Sequence, residues 1–332
     1  MPPKISVIIP HAGGRDLLFS CLSALFNFPA TNAPAPEILV ADNAPADGSA
    51  RAAAARFPGV AVVESPGGAN LGFGAACNLS ARAASGDLLV FLNNDARPGP
   101  GWLEPLAAAF GDPGLGAAGS LLLFARDPET VNSAGGDLLY HGAGLDRGRG
   151  QARGPEHERG GDCGYVSGAA MMVERAAFFA IGGFDPGYFL YNEDVDLCWR
   201  LWRRGKSVQY VPASMVLHEE SATTGQEPHD PAKVFLSARN SLLTALKNHR
   251  PKDLAPALAA NLGWHAAKML AFAARGMTSQ AQAIPRAWAS AARAAPAALA
   301  ARRALPFAQP GRPPLLSLAR TARELARQKG RF

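Results

Sequence analysis

The sequence of 332 residues contains no run of about 18 or more uncharged apolar side chains, so no membrane-spanning helix is expected. Met1 to Pro10 lack the charged start and long apolar stretch of a secretory leader, and the expected location is the cytoplasm. Cysteine is scarce. Cys21, Cys77, Cys163 and Cys198 follow no CxxC or Cys/His zinc spacing, which excludes a disulfide framework and a structural zinc site and leaves four small core residues. No internal repeat is visible. Acids are nearly missing from the C-terminal part: from Arg250 onward there are 14 basic and 2 acidic residues, a net of +12, whereas Met1 to His249 carry 19 basic and 25 acidic residues, a net of −6. The overall charge of +6 therefore hides an acidic body and a basic tail, and the tail alone invites an anionic surface, either nucleic acid or membrane lipid. Its basic residues are not interleaved with aromatics and no nucleic-acid-binding module is present, so nucleic acid is not an expected partner. Apolar residues are plentiful at 48%, enough for one large α/β domain with an appendage.

Short apolar runs alternate with helical patterns through the first half. ISVIIP (5–10), EILVA (37–41), VAVVE (60–64) and DLLVFLNND (87–95) read as strands, and Arg15 to Phe28, Ser49 to Phe57 and Gly72 to Ser85 as crossover helices. Such alternation predicts a parallel sheet covered on both faces, with ligands at the carboxyl ends of its strands. Those ends carry Pro10-His11, Asp42-Asn43, Asn70 and Asn93-Asn94-Asp95. A second part follows with GLGAAGSLLLF (114–124), a Gly/Arg-rich stretch from Asp146 to Gly161 read as a mobile loop, and a short strand VQYVP (208–212). LYNEDVDLCWRLWRRGK (190–206) crowds Glu193, Asp194 and Asp196 against apolar residues at helical spacing. An acid at a helix start is favoured by the free N–H groups there, which explains one of the three acids but not all of them.

The ordered set ISVIIP, ILVADNAPADGS, NLGFGAACN, GDLLVFLNNDARP, SGAAMMVERAAF, GGFDPGYFLYNEDVDLCWRL and VPASMVLHEES resembles the family 2 glycosyltransferases of the GT-A fold. Within them it is most similar to the rhamnosyltransferase-like branch that builds bacterial cell-surface polysaccharide. The likeness covers roughly residues 4–250. It implies an α/β fold with a Rossmann-like, mostly parallel twisted sheet flanked by helices and a C-terminal helical appendage. The implied division is a catalytic domain over 1–250, with a nucleotide-binding half (1–125) and an acceptor-binding half (126–250), and a basic Ala/Arg-rich helical tail over 251–332. The implied activity is inverting transfer of rhamnose or a hexose from a dTDP-, UDP- or GDP-sugar to a saccharide or polyprenyl-linked acceptor, with Mg²⁺ or Mn²⁺.

That chemistry needs a grip on base and diphosphate, a cation for the departing diphosphate, and a base for the acceptor hydroxyl. The resemblance maps the donor site onto Pro10, His11, Asp42, Asn70, Gly72, Asn93, Asn94 and Asp95. Asp42 would accept the imide N–H of uracil or thymine, with local turn and cap duty as the alternative for Asp42-Asn43 and Asp47. The family's Asp-x-Asp reads Asn93-Asn94-Asp95 here, so the cation falls to Asp95, with His218 completing the site. Asp194 maps to the base, Glu193 to acceptor binding, and Gly168 and Ala169 to the wall of the sugar pocket. Asp196 is assigned to the helix, as a cap or paired with Arg200. Arg239 could reach the diphosphate. The tail is read either as amphipathic helices on the anionic inner face of the cytoplasmic membrane or as an appendage packed on the domain or in a dimer. The rivals are a sugar-nucleotide pyrophosphorylase, whose Gly-rich, Arg-bearing N-terminal loop HAGGR imitates poorly, a glycosidase, and a non-catalytic membrane-associated binding protein on this scaffold.

Overall fold

The computed structural model describes residues 3–28, 35–44, 47–220, 229–308 and 313–323, apart from 318 and 322. Four parallel strands, β1 (Ile5–His11), β2 (Glu37–Asp42), β3 (Val60–Glu64) and β4 (Leu88–Leu92), lie in the order β4-β1-β2-β3. They are linked by α1 (Arg15–Asn27), α2 (Ser49–Arg56) and α3 (Phe73–Ala83). The central strands β1, β2 and β4 are mostly apolar because both their faces are covered, whereas the edge strand β3 leaves Ala61 and Glu64 exposed. Ile8, Leu39, Leu89 and Phe91 enter one core, and Val7, Ile9, Val40, Val90 and Leu92 enter the other, on alternate residues as strand geometry requires. The chain order reverses between β1 and β4, which opens the crevice beyond their carboxyl ends.

Beyond β4 the sheet becomes mixed. β5 (Ala96–Pro98) and α4 (Leu103–Ala109) lead to β6 (Leu115–Phe124) and β7 (Asp127–Ser133). The hairpin β8 (Gly136–Leu138) and β9 (Gly144–Asp146) is followed by β10 (Gly161–Asp162) and β11 (Ala170–Glu174). β11 inserts between β4 and β6 and runs antiparallel to both. After α5 (Arg175–Ala180) and α6 (Glu193–Arg203) comes β12 (Ser207–His218), parallel to β6. β12 is one 12-residue strand with a bulge between Val211 and Met215, not the short strand ending at 212 that the sequence suggested, so His218 is its last residue. The fourth strand ends at Leu92, and Asn93 to Asp95 form the turn into β5.

The Asp146–Gly161 stretch begins with the last residue of β9 and carries a 3-10 turn over Pro155–Glu158. Arg147 pairs with Asp137, which ties the stretch to β8, and Arg153 with Glu158 inside it. Most of the segment 219–230, which bears Gly, Thr and Glu, lies outside the described residues.

The C-terminal part is helical: α7 (Pro231–Asn248), α8 (Pro251–Ala274) and α9 (Thr278–Ala304). α9 lies along α7 on small residues, with Ala291 and Ala298 buried beside Leu243 and Tyr188. The tail also holds α6. Arg203 donates to Lys247 O at 2.9 Å, to Arg302 O at 3.2 Å and to Leu305 O, and its guanidinium stacks 4.1 Å from the Phe307 ring centre.

Candidate active site

Two groups of side chains meet at the carboxyl edge of the sheet. The first starts at the end of β4. Asp95 comes to His218 because β5 pairs antiparallel with the end of β12, with Ala96 opposite His218. The Asp95 Oδ1 and His218 Nε2 atoms lie 3.2 Å apart and are largely buried. His218 Nδ1 lies 3.1 Å from Asn132 Oδ1, an acceptor, which calls for a proton on Nδ1, and in that neutral tautomer the Nε2 lone pair faces Asp95. The Asn132 amide nitrogen in turn donates to Glu220, which Arg149 grips at 2.5 and 2.7 Å. A lone pair and a carboxylate oxygen converging at this distance suit a divalent cation, for which adjacent ligands of an octahedral shell stand about 3 Å apart. Asn93 Nδ2 lies 3.4 Å from the same Nε2. Among the described residues no cluster of three or more His, Cys, Asp or Glu side chains is assembled for a metal, so this pair would depend on ligand oxygens for the remaining positions.

Asp42 ends β2 with both carboxylate oxygens buried and, among the described residues, without a well-formed hydrogen bond. Burial pushes its carboxyl above the usual range, against the pull of the Ala44 amide. Such a group lacks only a ligand's donor.

Other residues predicted for the donor site are engaged within the protein. His11 uses both ring nitrogens, Nε2 at 2.5 Å from Ser49 Oγ and Nδ1 at 3.0 Å from Asn94 Nδ2, and burial holds it below the ordinary imidazole range despite Asp47. Asn94 also donates to Gly13 O. These two side chains brace the ends of β1 and β4 against α2. Asn70 accepts from Asn43 at 2.9 Å and from the Gly72 amide at 2.9 Å. Gly72, at φ 80°, has its open side filled by the Phe189 backbone, and Phe189 O receives the Phe73 amide at 2.8 Å. Here the glycine admits a protein loop, not a ligand. Pro10 sits in β1 opposite Ala41. Asp47 accepts from the Ser49 amide and hydroxyl at the start of α2, the turn duty considered for it.

The second group surrounds the start of α6. Phe189, Tyr191 and Asn192 all have positive φ, an expensive conformation for side-chain-bearing residues. Buried Asn240 of α7 holds that segment by donating to Tyr188 O, Leu190 O and Tyr191 O at 3.0, 2.8 and 2.8 Å, and Asn192 donates to Thr244 at 2.7 Å. The segment delivers Glu193 and Asp194 to the crevice. Asp194 accepts from the Gly168 amide at 3.1 Å and the Val195 amide at 2.8 Å. Burial nevertheless pushes its carboxyl up to about 6, with the charge of Asp146 adding to the shift. Glu193 is pushed well above the carboxylate range by burial and then by Asp194, and its Oε2 is buried without a partner among the described residues. Burial therefore favours the protonated form of both carboxyls. Gly168 and Ala169 tie the two groups together: Gly168 N reaches Asp194, and Ala169 O receives the Asn93 amide at 3.0 Å.

The residues match the family model for glycosyl transferase family 2 over 6–180, more than half of the sequence. The chain belongs to glycosyl transferase family 2. It is a glycosyltransferase, 35% identical over 238 residues to the N-acetylglucosaminyl-diphospho-decaprenol L-rhamnosyltransferase of Mycobacterium tuberculosis, an alignment covering 61% of this chain and 75% of that protein. Among solved structures it resembles GalNAc-T7 with UDP, GalNAc and Mn²⁺ (TM-score 0.58, 17% identity, 74% of this chain and 48% of that one). It also resembles the mannosyltransferase PcManGT of Pyrobaculum calidifontis with GDP-Man and Mn²⁺ (TM-score 0.52, 19% identity, 98% and 86%). These two likenesses establish the GT-A fold.

In this glycosyltransferase Asp196 turns inward, fully buried, and is bound by Arg200, Lys247 and Asn248, each at 2.8 Å. Although burial works against ionisation, Arg200 and Lys247 hold its carboxyl well below the usual range. The pairing with Arg200 was legible; Lys247 and Asn248, some fifty positions away, were not. Two arginines of α6, Arg200 and Arg203, are themselves buried. Arg239 spends its fork on Gly187 O and Ser290. Residues missed in the sequence are Asn132, Asp146, Tyr165 and Asn240, single polar positions with no local pattern to mark them.

Proposed function

We propose that the chain is an inverting, divalent-cation-assisted glycosyltransferase that moves rhamnose or a hexose from a nucleoside diphosphate sugar to a saccharide on a polyprenyl diphosphate carrier, in assembly of cell-surface polysaccharide. The observation that carries this reading is the pairing, across the Gly168-Ala169 peptide, of Asp95 and His218 with an ionisable Asp194. The name of the mycobacterial relative supports rhamnose as the sugar and a lipid-linked N-acetylglucosamine as the acceptor.

Asp42 would receive the imide N–H of a pyrimidine base, and Asp95 and His218 would hold Mg²⁺ or Mn²⁺, with Asn93 beside them toward the sugar. When bound, the cation neutralises charge developing on the diphosphate. Asp194, ionised above about pH 6, takes the proton of the acceptor hydroxyl as it attacks the anomeric carbon from the face opposite the diphosphate. Glu193, kept neutral, can donate a hydrogen bond to an acceptor oxygen. We assign the catalytic unit to residues 1–250, with donor and acceptor halves meeting near 125, and the basic tail to 251–332.

The tail is also our candidate for contact with an anionic membrane surface. Among the described residues no helix is long and apolar enough to cross a membrane. α8 exposes Leu262 and Leu270, and α9 exposes Arg286, Arg293 and Arg303, the mixture that suits an interfacial helix pair.

The test is turnover of dTDP-rhamnose, UDP-glucose, UDP-N-acetylglucosamine and GDP-mannose with a polyprenyl diphosphate N-acetylglucosamine acceptor, with and without Mn²⁺ or Mg²⁺. Cation-dependent transfer from one of them is expected. Donor binding without transfer under every condition would favour the non-catalytic alternative.

A further inference from the structure

Asp146, the last residue of β9, takes part in none of the steps above. Ser133 Oγ donates to its Oδ1 at 2.8 Å, and the Tyr165 hydroxyl donates to the same oxygen at 2.9 Å, so neither engages Oδ2. Asp194 is held by the same short segment, since Gly168, three residues beyond Tyr165, gives its amide to Asp194 Oδ2. β9 also packs against the start of α6. A Cβ placed on Gly144 would meet Val195 Cγ2 at 2.6 Å and the Tyr165 ring at 2.7 Å. Asp146, two residues further along the strand, projects from the same face as Gly144. Tyr165 to Gly168 thus ties both carboxylates, Asp146 on β9 and Asp194 on α6, to one short segment.

Electrostatics agree with the geometry. Burial raises the Asp146 carboxyl against the pull of Arg149, Ser133 and Tyr165, with Glu220 adding to the rise. The Asp194 carboxyl faces Asp146 from β9 and Tyr165 from the stretch before β11, with Glu193 and Cys198 beside it on α6.

We propose that Asp146 is a second acceptor-binding carboxylate, whose Oδ2 receives a hydroxyl of the acceptor sugar neighbouring the one that Asp194 deprotonates. The ligand class is a saccharide with two nearby free hydroxyls. Asp194 then handles the reacting oxygen while Asp146 fixes the rotation of the acceptor ring. The inference rests on the assignment of Asp194 as the base.

The test compares the full-length protein with its Asp146→Asn variant, using dTDP-rhamnose as donor and octyl N-acetylglucosaminide with its 3-, 4- and 6-deoxy analogues as acceptors. The amide keeps an acceptor oxygen for Ser133 and Tyr165, so unfolding temperature and donor KM are expected to hold. The acceptor KM is expected to rise about tenfold to a hundredfold, as for loss of a hydrogen bond to a charged group. One deoxy analogue that still reacts should show the same loss with the unaltered protein and no further loss with Asp146→Asn. Side-chain ¹³C titration provides a readout independent of turnover: the Asp194 midpoint should fall when the neighbouring charge is removed. An acceptor KM within twofold, or an unmoved Asp194 midpoint, would overturn the proposal. Failure of the base assignment would show separately, as full activity in Asp194→Asn.

Discussion

Replacing Asp194 by Asn should inactivate the enzyme and stabilise it at the same time. The Asp194 carboxyl stands at about 6 against an ordinary 3.8, raised by burial and the charge of Asp146. That rise corresponds to about 3 kcal/mol between the protonation states. The sign follows from linkage. A raised carboxyl binds its proton more tightly in the folded state, so the native protein suffers no penalty below about pH 4, an increasing one as pH rises, and the full one above about pH 6. Asparagine removes the charge but has one acceptor oxygen for two amides, Gly168 and Val195, a loss of about 1 kcal/mol. The net gain is about 1 to 2 kcal/mol at pH 8, a rise in Tm of about 1.5 to 3 °C, turning neutral or negative near pH 4.5. Transfer should fall by about 10²- to 10⁴-fold with donor binding retained. Thermal unfolding at both pH values and a transfer assay with radiolabelled donor check the pair of effects. Transfer within tenfold of the unaltered enzyme, or an equal Tm gain at pH 8 and pH 4.5, would refute the reasoning.

Asn240→Ala removes the shared donor of three backbone carbonyls. We expect a loss of about 2 to 4 kcal/mol in thermal unfolding and a fall in kcat at unchanged donor affinity, since the positive-φ segment carrying Glu193 and Asp194 loses its splint. Asp196→Asn leaves Arg200 and Lys247 short of their counter-charge and should cost about 3 to 5 kcal/mol at neutral pH. Because the Asp196 carboxyl is held low, that stability exists above about pH 4 and is lost as pH falls toward the folded value. The variant and the unaltered protein should therefore converge in acid denaturation. Asn132→Leu frees the His218 ring from its tautomer-fixing acceptor and should weaken Mn²⁺ binding, followed by electron paramagnetic resonance in the presence of UDP, by about 10- to 100-fold. Unchanged Mn²⁺ affinity would remove His218 from the cation site.

The first four strands could be read to within a few residues because parallel strands buried on both faces are continuous apolar runs bounded by polar residues. The second half resisted. β12 contains a proline and a bulge, and β5, β8, β9 and β10 are each three residues or shorter, too short for a period to show. Asp42, Asp95 and Asp194, which we propose for the site, stand out in the sequence because strand ends and a helix start mark them. Asp146 was hidden, since its meaning lies in the Tyr165 hydroxyl 19 residues away. Asn240 was hidden for a similar reason, as its three partners are some 50 residues upstream.

The sequence by itself determined the α/β alternation, the family, and which strand ends would carry acids, because periodicity and local motif are properties of neighbours along the chain. The tertiary structure shows which of those polar residues are already engaged within the protein. His11, Asn70 and Asn94 satisfy one another's neighbourhood and serve as braces, whereas Asp42 and the Asp95–His218 pair are left with unsatisfied atoms. It also turned three acids of one helix to different ends, Glu193 and Asp194 to the crevice and Asp196 to buried cations. Hydrogen-bond satisfaction depends on groups brought together across the fold, and a list of residues does not record where those groups meet.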